Sequence, residues 1–108
     1  MSNITSVVQK AINAAKVAGE LSYQQVGERD CCGFAWVEVY VERTNSKEAK
    51  ELIAAGFKKD YKPKCLNFWN PAGLGTQSMT PKEEGARAMA EVLREELGLK
   101  AYASSRMD

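Results

Sequence analysis

Histidine is absent from the 108 residues of the chain, and cysteine occurs only as Cys31, Cys32 and Cys65. Structural zinc sites use cysteine and histidine in sets of four, so this chain is one ligand short. An odd number of cysteines, two of them adjacent, is also a poor disulfide framework. A cysteine nucleophile would lack the histidine base that commonly activates it. We therefore expect no metal, no cofactor and no enzyme activity.

Long apolar runs are absent as well, because no segment approaches the roughly 20 residues that a membrane-spanning helix needs. The first six residues lack the basic and apolar parts of a signal peptide. A net charge of +1 gives no general attraction to nucleic acid or to a membrane surface. The composition predicts one cytoplasmic domain over residues 1–108, with no membrane partner.

Apolar residues at intervals of three and four predict an α-helix over residues 1–19, with Gly19 as its end. Two further helices are expected later in the chain. Asn45 is the predicted cap of the first, with Ile53 on its inner side, and Thr80 is the predicted cap of the second. Gly56 and Gly98 are expected to end these helices in left-handed conformations.

Strict alternation over residues 34–41 is the strongest strand signal in the chain. One face of this strand carries alanine and valines, and the other carries Phe34, Trp36, Glu38 and Tyr40. A second clear strand covers residues 65–69. Weaker strands are predicted over residues 57–61 and 99–103.

The predicted elements after residue 33 follow one another as β-α-β-β-α-β. This order predicts a ferredoxin-like α+β domain over residues 34–103, with an extra helix before it. Right-handed crossovers would place both later helices on one face of a four-stranded antiparallel sheet. The first and third strands are expected in the middle because they are the most apolar.

The opposite face of that sheet would collect Phe34, Trp36, Tyr40 and Trp69, an unusual aromatic patch for a soluble monomer. Three explanations compete. In the first, which we favour, the N-terminal helix covers the patch because its own apolar stripe needs a partner. Alternatively, two chains pack sheet to sheet as a homodimer, or the rings stack on the bases of a ligand.

The loop before the last predicted helix and the C-terminal segment supply polar candidates for ligand binding. Gln77, Ser78 and Thr80 lie near a helix N-terminus, where backbone N–H groups favour an anion such as phosphate. Arg106 offers a planar set of donors suited to phosphate, and Ser105 lies beside it. The competing interpretations are a plain loop and an ordinary surface tail.

Several blocks of sequence resemble short proteins of tailed bacteriophages and prophages. They are CGFAWV at 32–37, QSM at 77–79 with KE at 82–83, ARA at 86–88, AEVLR at 90–94, and AYASSRMD at 101–108. The resemblance covers roughly residues 31–108. It implies a setting, the cytoplasm of an infected bacterial host cell, and no particular activity.

Together with the absence of a catalytic site, the resemblance implies a non-enzymatic accessory protein that binds a host component. It would either sequester a nucleotide-like ligand or block a host defence protein. For a phosphate-bearing ligand the candidate residues are Gln77, Ser78, Thr80, Ser105 and Arg106, with Trp36, Tyr40 or Trp69 stacking. The alternatives are single-stranded nucleic-acid binding through the aromatic face and a small nucleotide-modifying enzyme.

Overall fold

The structure is a computed structural model that describes residues 4–27, 32–73, 75 and 78–107. Within these residues three helices and four strands form an α+β structure, as predicted. No helix in this part of the chain is long and apolar enough to cross a membrane. The elements are α1 (Ile4–Val26), β1 (Gly33–Tyr40), α2 (Lys47–Ala54), β2 (Lys58–Lys59), β3 (Cys65–Trp69), α3 (Met79–Leu97) and β4 (Lys100–Met107).

The strands form one open four-stranded sheet in the order β2-β3-β1-β4, and every neighbouring pair is antiparallel. β1 and β3 lie in the middle, as their apolar character predicts. Trp36 pairs with Trp69 on one side and with Ser104 on the other. The register therefore brings the centre of β1 into contact with residues that are far apart in sequence.

The small apolar face of β1 lies in the core, which confirms the predicted inward direction of its valines. Ala35, Val37 and Val39 are no more than 1% exposed, and they cluster with buried residues of all three helices. Helix α3 contributes Met89 and Leu93 to this cluster. Because alternate strand residues point to opposite faces, the aromatic residues of β1 must lie on the other side of the sheet.

Helix α1 does not cover the aromatic face, so the favoured explanation for that patch is wrong. It packs mainly along α3 and more lightly on α2. Its buried stripe consists of small residues with one valine: Val8, Ala11, Ala15 and Gly19. At Gly85 of α3 an added Cβ would lie 3.1 Å from the Ala15 carbonyl oxygen, so the two backbones approach closely.

Gly19 does not end α1, which continues to Val26. A glycine inside a helix costs about 1 kcal/mol relative to alanine, which is why it was predicted to be the end. Gly19 is buried together with Val8, Ala11 and Ala15, and α1 packs mainly against α3. Tertiary packing thus overrides the local preference.

The predicted helix caps are displaced by one or two residues. Ser46, not Asn45, caps α2, and its Oγ accepts a 3.1 Å hydrogen bond from the Ala49 backbone N–H. Helix α3 begins at Met79, so Thr80 lies within its first turn and Ser78 stands at the cap position.

Gly98 ends α3 with φ of 64°, in the predicted left-handed conformation. Gly56 has φ of 126° and directly follows the Ala55 cap of α2. Ile53, which was predicted to face inwards, is 36% exposed.

Both outer strands differ in length from the prediction. β4 continues to Met107 because its last residues pair with the beginning of β1. Ser105 and Arg106 therefore belong to a strand and not to a tail. β2 is only two residues long, and Phe57, which was predicted to begin it, is buried in the core against the ring of Phe68.

Candidate functional site

The sheet face that points away from the core is called the open face here. Cross-strand pairing with β1 assigns eleven residues to it: Phe34, Trp36, Glu38, Tyr40, Cys65, Asn67, Trp69, Lys100, Tyr102, Ser104 and Arg106. Two of its rings are substantially exposed, since Trp69 is 50% exposed and Tyr102 is 52% exposed. An aromatic surface of this kind on a sheet is a candidate binding surface.

Trp36 and Trp69 form a stacked pair near the middle of the open face. They are direct cross-strand partners, and their ring centroids lie 4.9 Å apart with 29° between the ring planes. Phe34 meets Trp69 edge to face, with a centroid distance of 6.1 Å. Trp36 and Phe34 thus support the Trp69 ring, while half of its surface stays open to a ligand.

Glu38 is a buried carboxylate on an otherwise open surface, with 6% of its surface exposed. It accepts hydrogen bonds of 2.9 Å from Trp36 Nε1 and 2.9 Å from the Tyr40 hydroxyl. Lys62 Nζ donates to both of its oxygens, at 3.2 and 3.0 Å. These donors compensate for the loss of water around the carboxylate and fix the directions of two aromatic side chains.

The protonation states in this network follow from its contacts. Burial alone would raise the pKa of Glu38, but hydrogen bonds from Trp36, Lys62 and Tyr40 outweigh it and lower the pKa overall. The hydrogen bond to Glu38 raises the pKa of both Tyr40 and Lys62. At neutral pH the network therefore contains a carboxylate, an ammonium group and a neutral phenol.

A shallow depression of about 410 Å³ lies beside the tryptophan pair and is called the basin here. Its volume falls within the range that suits a small organic ligand. The tryptophan pair and the Glu38–Lys62 ion pair form part of its wall. The rest comes from Lys59, Asp60, Tyr61, Asn67, Ser104 and Arg106.

Asp60 is the second carboxylate of the basin. Its Oδ2 accepts a 3.1 Å hydrogen bond from Asn67 Nδ2, and its Oδ1 accepts a 3.2 Å bond from the Lys62 backbone N–H. Burial alone would raise the pKa of Asp60, but these hydrogen bonds and the nearby Lys62 charge lower it. The basin therefore presents an ionised acceptor at neutral pH.

Two cations lie close to Phe34 at the edge of the open face. The Arg106 guanidinium carbon is 5.8 Å from the centre of the Phe34 ring. Lys82 Nζ is 5.4 Å from the same centre and donates a 3.0 Å hydrogen bond to the Gly33 carbonyl. Lys82 is 8% exposed, whereas Arg106 is exposed on the strand next to the tryptophan pair. Of these two cations, Arg106 is thus the one that a ligand can reach.

The predicted stacking residues lie together on the open face. Trp36 and Trp69 line the basin with Arg106, which the sequence placed among the phosphate-binding candidates. Tyr40 also points to this face, but its hydroxyl is held by Glu38. These residues form the part of the predicted site that the fold brings together.

The predicted cluster of loop and tail residues does not assemble as expected. Ser105 points to the helix side of β4, where its Oγ donates a 2.6 Å hydrogen bond to Glu83, while Arg106 points to the open face. Ser78 is 1% exposed, and its hydroxyl donates to the Gly27 carbonyl. Gln77 lies outside the described residues. Neither Ser78 nor Thr80 lines the basin.

Alternation in the sequence places Asn67 beside Trp69 on this face, but sequence reasoning missed Asp60, Lys62 and Ser104. The same alternation could have placed Ser104 with Arg106, because the two are separated by one residue on a strand. No local pattern places the turn between β2 and β3 beside the face, so Asp60 and Lys62 carried no usable signal.

The cysteines of the described chain show no reactive arrangement. Cys65 is buried, and burial, with the Asp60 and Glu38 carboxylates, raises its pKa to about 11. Its thiol is therefore protonated at neutral pH and is a poor nucleophile. Within the described residues no group of three or more histidine, cysteine or acidic side chains could hold a metal ion.

A larger depression of about 640 Å³ lies at the other end of β1. Its charges are mixed, with Glu42 and Glu48 opposing Lys64 and Lys100, and Tyr40 is its single aromatic residue. It lacks a ring platform, so the basin is the stronger candidate.

Comparisons of the chain with protein-family models, curated proteins and solved structures give no match.

Proposed function

We propose that this protein is a non-enzymatic binding module that holds a nucleotide-like small molecule in the basin of its open face. One observation carries the proposal. Trp69, half exposed and stacked on Trp36, lines the same depression as the exposed Arg106. A ring surface beside a planar cation matches the two chemically distinct parts of a nucleotide, the base and the phosphate.

The tryptophan pair suits base stacking because it is held in place before a ligand arrives. Trp36 is fixed through its hydrogen bond to Glu38, and Trp69 rests on Trp36. Stacking of a base on an aromatic side chain contributes about 1–3 kcal/mol. A rigid platform loses little side-chain entropy on binding, so more of the stacking free energy appears as affinity than it would on flexible side chains.

The charges of the basin favour a phosphate on one side. Lys62 is paired with Glu38, so its charge is largely compensated. Arg106 and Lys59 line the basin as further cations, and Ser104 adds a hydroxyl group. Arginine binds phosphate through two parallel hydrogen bonds, which supports Arg106 as the principal phosphate contact.

The polar character of the basin weighs against sheet-to-sheet dimerisation. Protein interface cores are depleted of charged groups. A partner sheet on the open face would cover the Glu38–Lys62 ion pair, the Asp60 carboxylate and Arg106 together. A small polar ligand can satisfy such groups individually. The basin therefore favours a ligand over a second copy of the chain.

The biological part of the proposal rests on the resemblance to bacteriophage proteins. We propose a phage-encoded accessory protein in the host cytoplasm that sequesters a nucleotide-like ligand. Two of the resembling blocks contribute the residues of the candidate site, since CGFAWV contains Trp36 and AYASSRMD contains Arg106. Blocking of a host defence protein through the same surface is the corresponding alternative.

The fold assignment in this proposal is the ferredoxin-like arrangement. It is supported by central strands β1 and β3, edge strands β2 and β4, and antiparallel neighbours throughout. The element order also supports it, because α2 connects β1 to β2 and α3 connects β3 to β4. Helix α1 is then an addition that covers α3 rather than the sheet.

Intrinsic fluorescence tests the proposal directly, because both tryptophans of the chain line the basin. Titration with the 5′-monophosphates of adenosine, guanosine, cytidine and uridine should give a saturable change for at least one of them. Calorimetry should then show that Trp69→Ala weakens binding at least about tenfold, the effect of losing one stacking contact. Leu21→Ala, which shortens a 57% exposed side chain on α1, should bind normally.

Failure of every nucleotide to give a saturable change would overturn the proposal, and so would normal binding by Trp69→Ala. Salt dependence separates the nucleic-acid alternative from the proposal. A steep loss of oligonucleotide affinity with salt, with no mononucleotide binding, would favour single-stranded nucleic acid. Conversion of a bound nucleotide, followed by chromatography, would contradict the non-enzymatic assignment.

A further inference from the structure

The Asp60 carboxylate keeps acceptor capacity that the structure does not use. An ionised carboxylate has about four acceptor positions on its two oxygens. Asn67 Nδ2 uses one position on Oδ2, the Lys62 backbone N–H uses one on Oδ1, and the Tyr61 backbone N–H also donates to the carboxylate. Within the described part of the chain no basic side chain forms an ion pair with Asp60. The carboxylate therefore keeps acceptor capacity for a ligand.

Asp60 is also held in a fixed direction beside the tryptophan pair. The hydrogen bond from Asn67, a residue of β3, ties its side chain to the sheet. Asn67 lies two residues before Trp69 on the same face of that strand. Asp60 and Asn67 therefore line the same depression as the Trp69 ring. Tyr61, which is 92% exposed, lines the basin next to Asp60.

The common bases differ in the hydrogen-bond donors and acceptors that they present to a carboxylate. Guanine carries two adjacent N–H donors, on N1 and on the exocyclic N2, spaced to meet both oxygens of one carboxylate. Adenine and cytosine place a ring acceptor next to their single amino group. Uracil flanks its N3–H with two carbonyl oxygens, which a carboxylate repels. An ionised aspartate at the edge of a stacking platform is therefore selective for guanine.

We infer that the basin selects a guanine nucleotide, with the Asp60 carboxylate accepting hydrogen bonds from N1–H and N2–H of the base. This inference rests on the proposed function, because it names the ligand class of the same site. Asp60 is its specificity-determining residue. The Trp36–Trp69 pair supplies stacking, and Arg106 contacts the phosphate.

Calorimetric titration of the intact protein with guanosine, inosine, adenosine, cytidine and uridine 5′-monophosphates tests the inference. Guanosine monophosphate should bind at least about tenfold more tightly than the adenosine, cytidine and uridine nucleotides. Inosine monophosphate lacks only the N2 amino group, so it should bind about tenfold more weakly than guanosine monophosphate. The inosine comparison uses the unaltered chain and does not depend on the folding of a variant.

Asp60→Asn should remove most of the guanine preference, measured as the ratio of the affinities for guanosine and adenosine monophosphates, because the amide offers one acceptor only. Glu20→Gln, an exposed neutralisation on α1, is the matched control and should keep the preference. Equal affinity for all the bases, or equal affinity for inosine and guanosine nucleotides, would overturn the guanine inference but leave the proposed function standing. Absence of binding by every nucleotide would overturn the proposed function itself.

Discussion

The Nε1–H group of Trp36 donates a 2.9 Å hydrogen bond to Glu38, two residues further along the same strand. Residues at this spacing point to the same face of a sheet, so the contact is local in sequence. It links a buried carboxylate to one half of the aromatic platform. The same carboxylate binds Tyr40 and Lys62, and the open face is therefore organised around one charged group.

Replacement of Glu38 by glutamine should lower the stability of the protein. The amide removes the charge that pairs with Lys62 and places an N–H donor where another donor already points. We expect a loss of about 1–3 kcal/mol in the free energy of unfolding, measured by urea denaturation. The exposed Glu42→Gln serves as control and should change stability by less than about 0.5 kcal/mol. Equal stability of the two variants would contradict the network.

The contribution of Glu38 to stability should depend on pH. Its pKa in the folded protein lies below the ordinary value of 4.5. The contribution is then fully present above that pH and is lost as the pH falls through the folded-state pKa. The difference in unfolding free energy between wild type and Glu38→Gln should stay constant from about pH 6 to 8 and shrink below about pH 4.5. A difference that grows on acidification would contradict the direction of the shift.

Ser46→Ala and Asn45→Ala distinguish the observed helix cap from the predicted one. Ser46 Oγ accepts the hydrogen bond from Ala49 N–H, whereas Asn45 is exposed before the helix. Ser46→Ala should cost about 1 kcal/mol of stability in chemical denaturation. Asn45→Ala should be close to neutral. The reverse ranking would show that Asn45 caps α2.

Gly85→Ala tests the close packing of α1, α3 and the segment before α3. An added Cβ would lie 2.6 Å from Ala72 Cβ and 3.1 Å from the Ala15 carbonyl oxygen. Overpacking costs about 1–3 kcal/mol, which exceeds the gain of up to about 1 kcal/mol from helix propensity. We therefore expect a lower midpoint of thermal unfolding. Gly75→Ala, whose added Cβ meets nothing within 4 Å, should leave the midpoint nearly unchanged.

The parts of the fold that local rules control were predictable from the sequence. Period-two alternation sorted Val37 inwards and Trp36 outwards, and left-handed Gly98 ended α3 as expected. Trp36, Trp69 and Arg106 could be named as candidate site residues because tryptophan and arginine are enriched among the residues that contribute most to binding.

The parts that depend on tertiary packing were not predictable. The apolar stripe of α1 could pack on either the open face or α3, and the close approach of Gly85 to the Ala15 backbone appears only in the folded chain. The length of β4 depends on pairing with β1 across more than sixty residues of sequence. Asp60 and Lys62 reach the basin through the course of a turn, which no residue pattern encodes.

Nuclear magnetic resonance of the two tryptophan indole N–H groups shows whether a nucleotide binds in the basin. Both tryptophans line the basin, so their indole signals report on ligand binding at the open face. On titration with an equimolar mixture of the adenosine, guanosine, cytidine and uridine monophosphates, we expect saturable shifts of both indole signals and of the Arg106 amide. Unmoved indole signals, or shifts confined to the depression around Lys64 and Leu99, would contradict the proposed function.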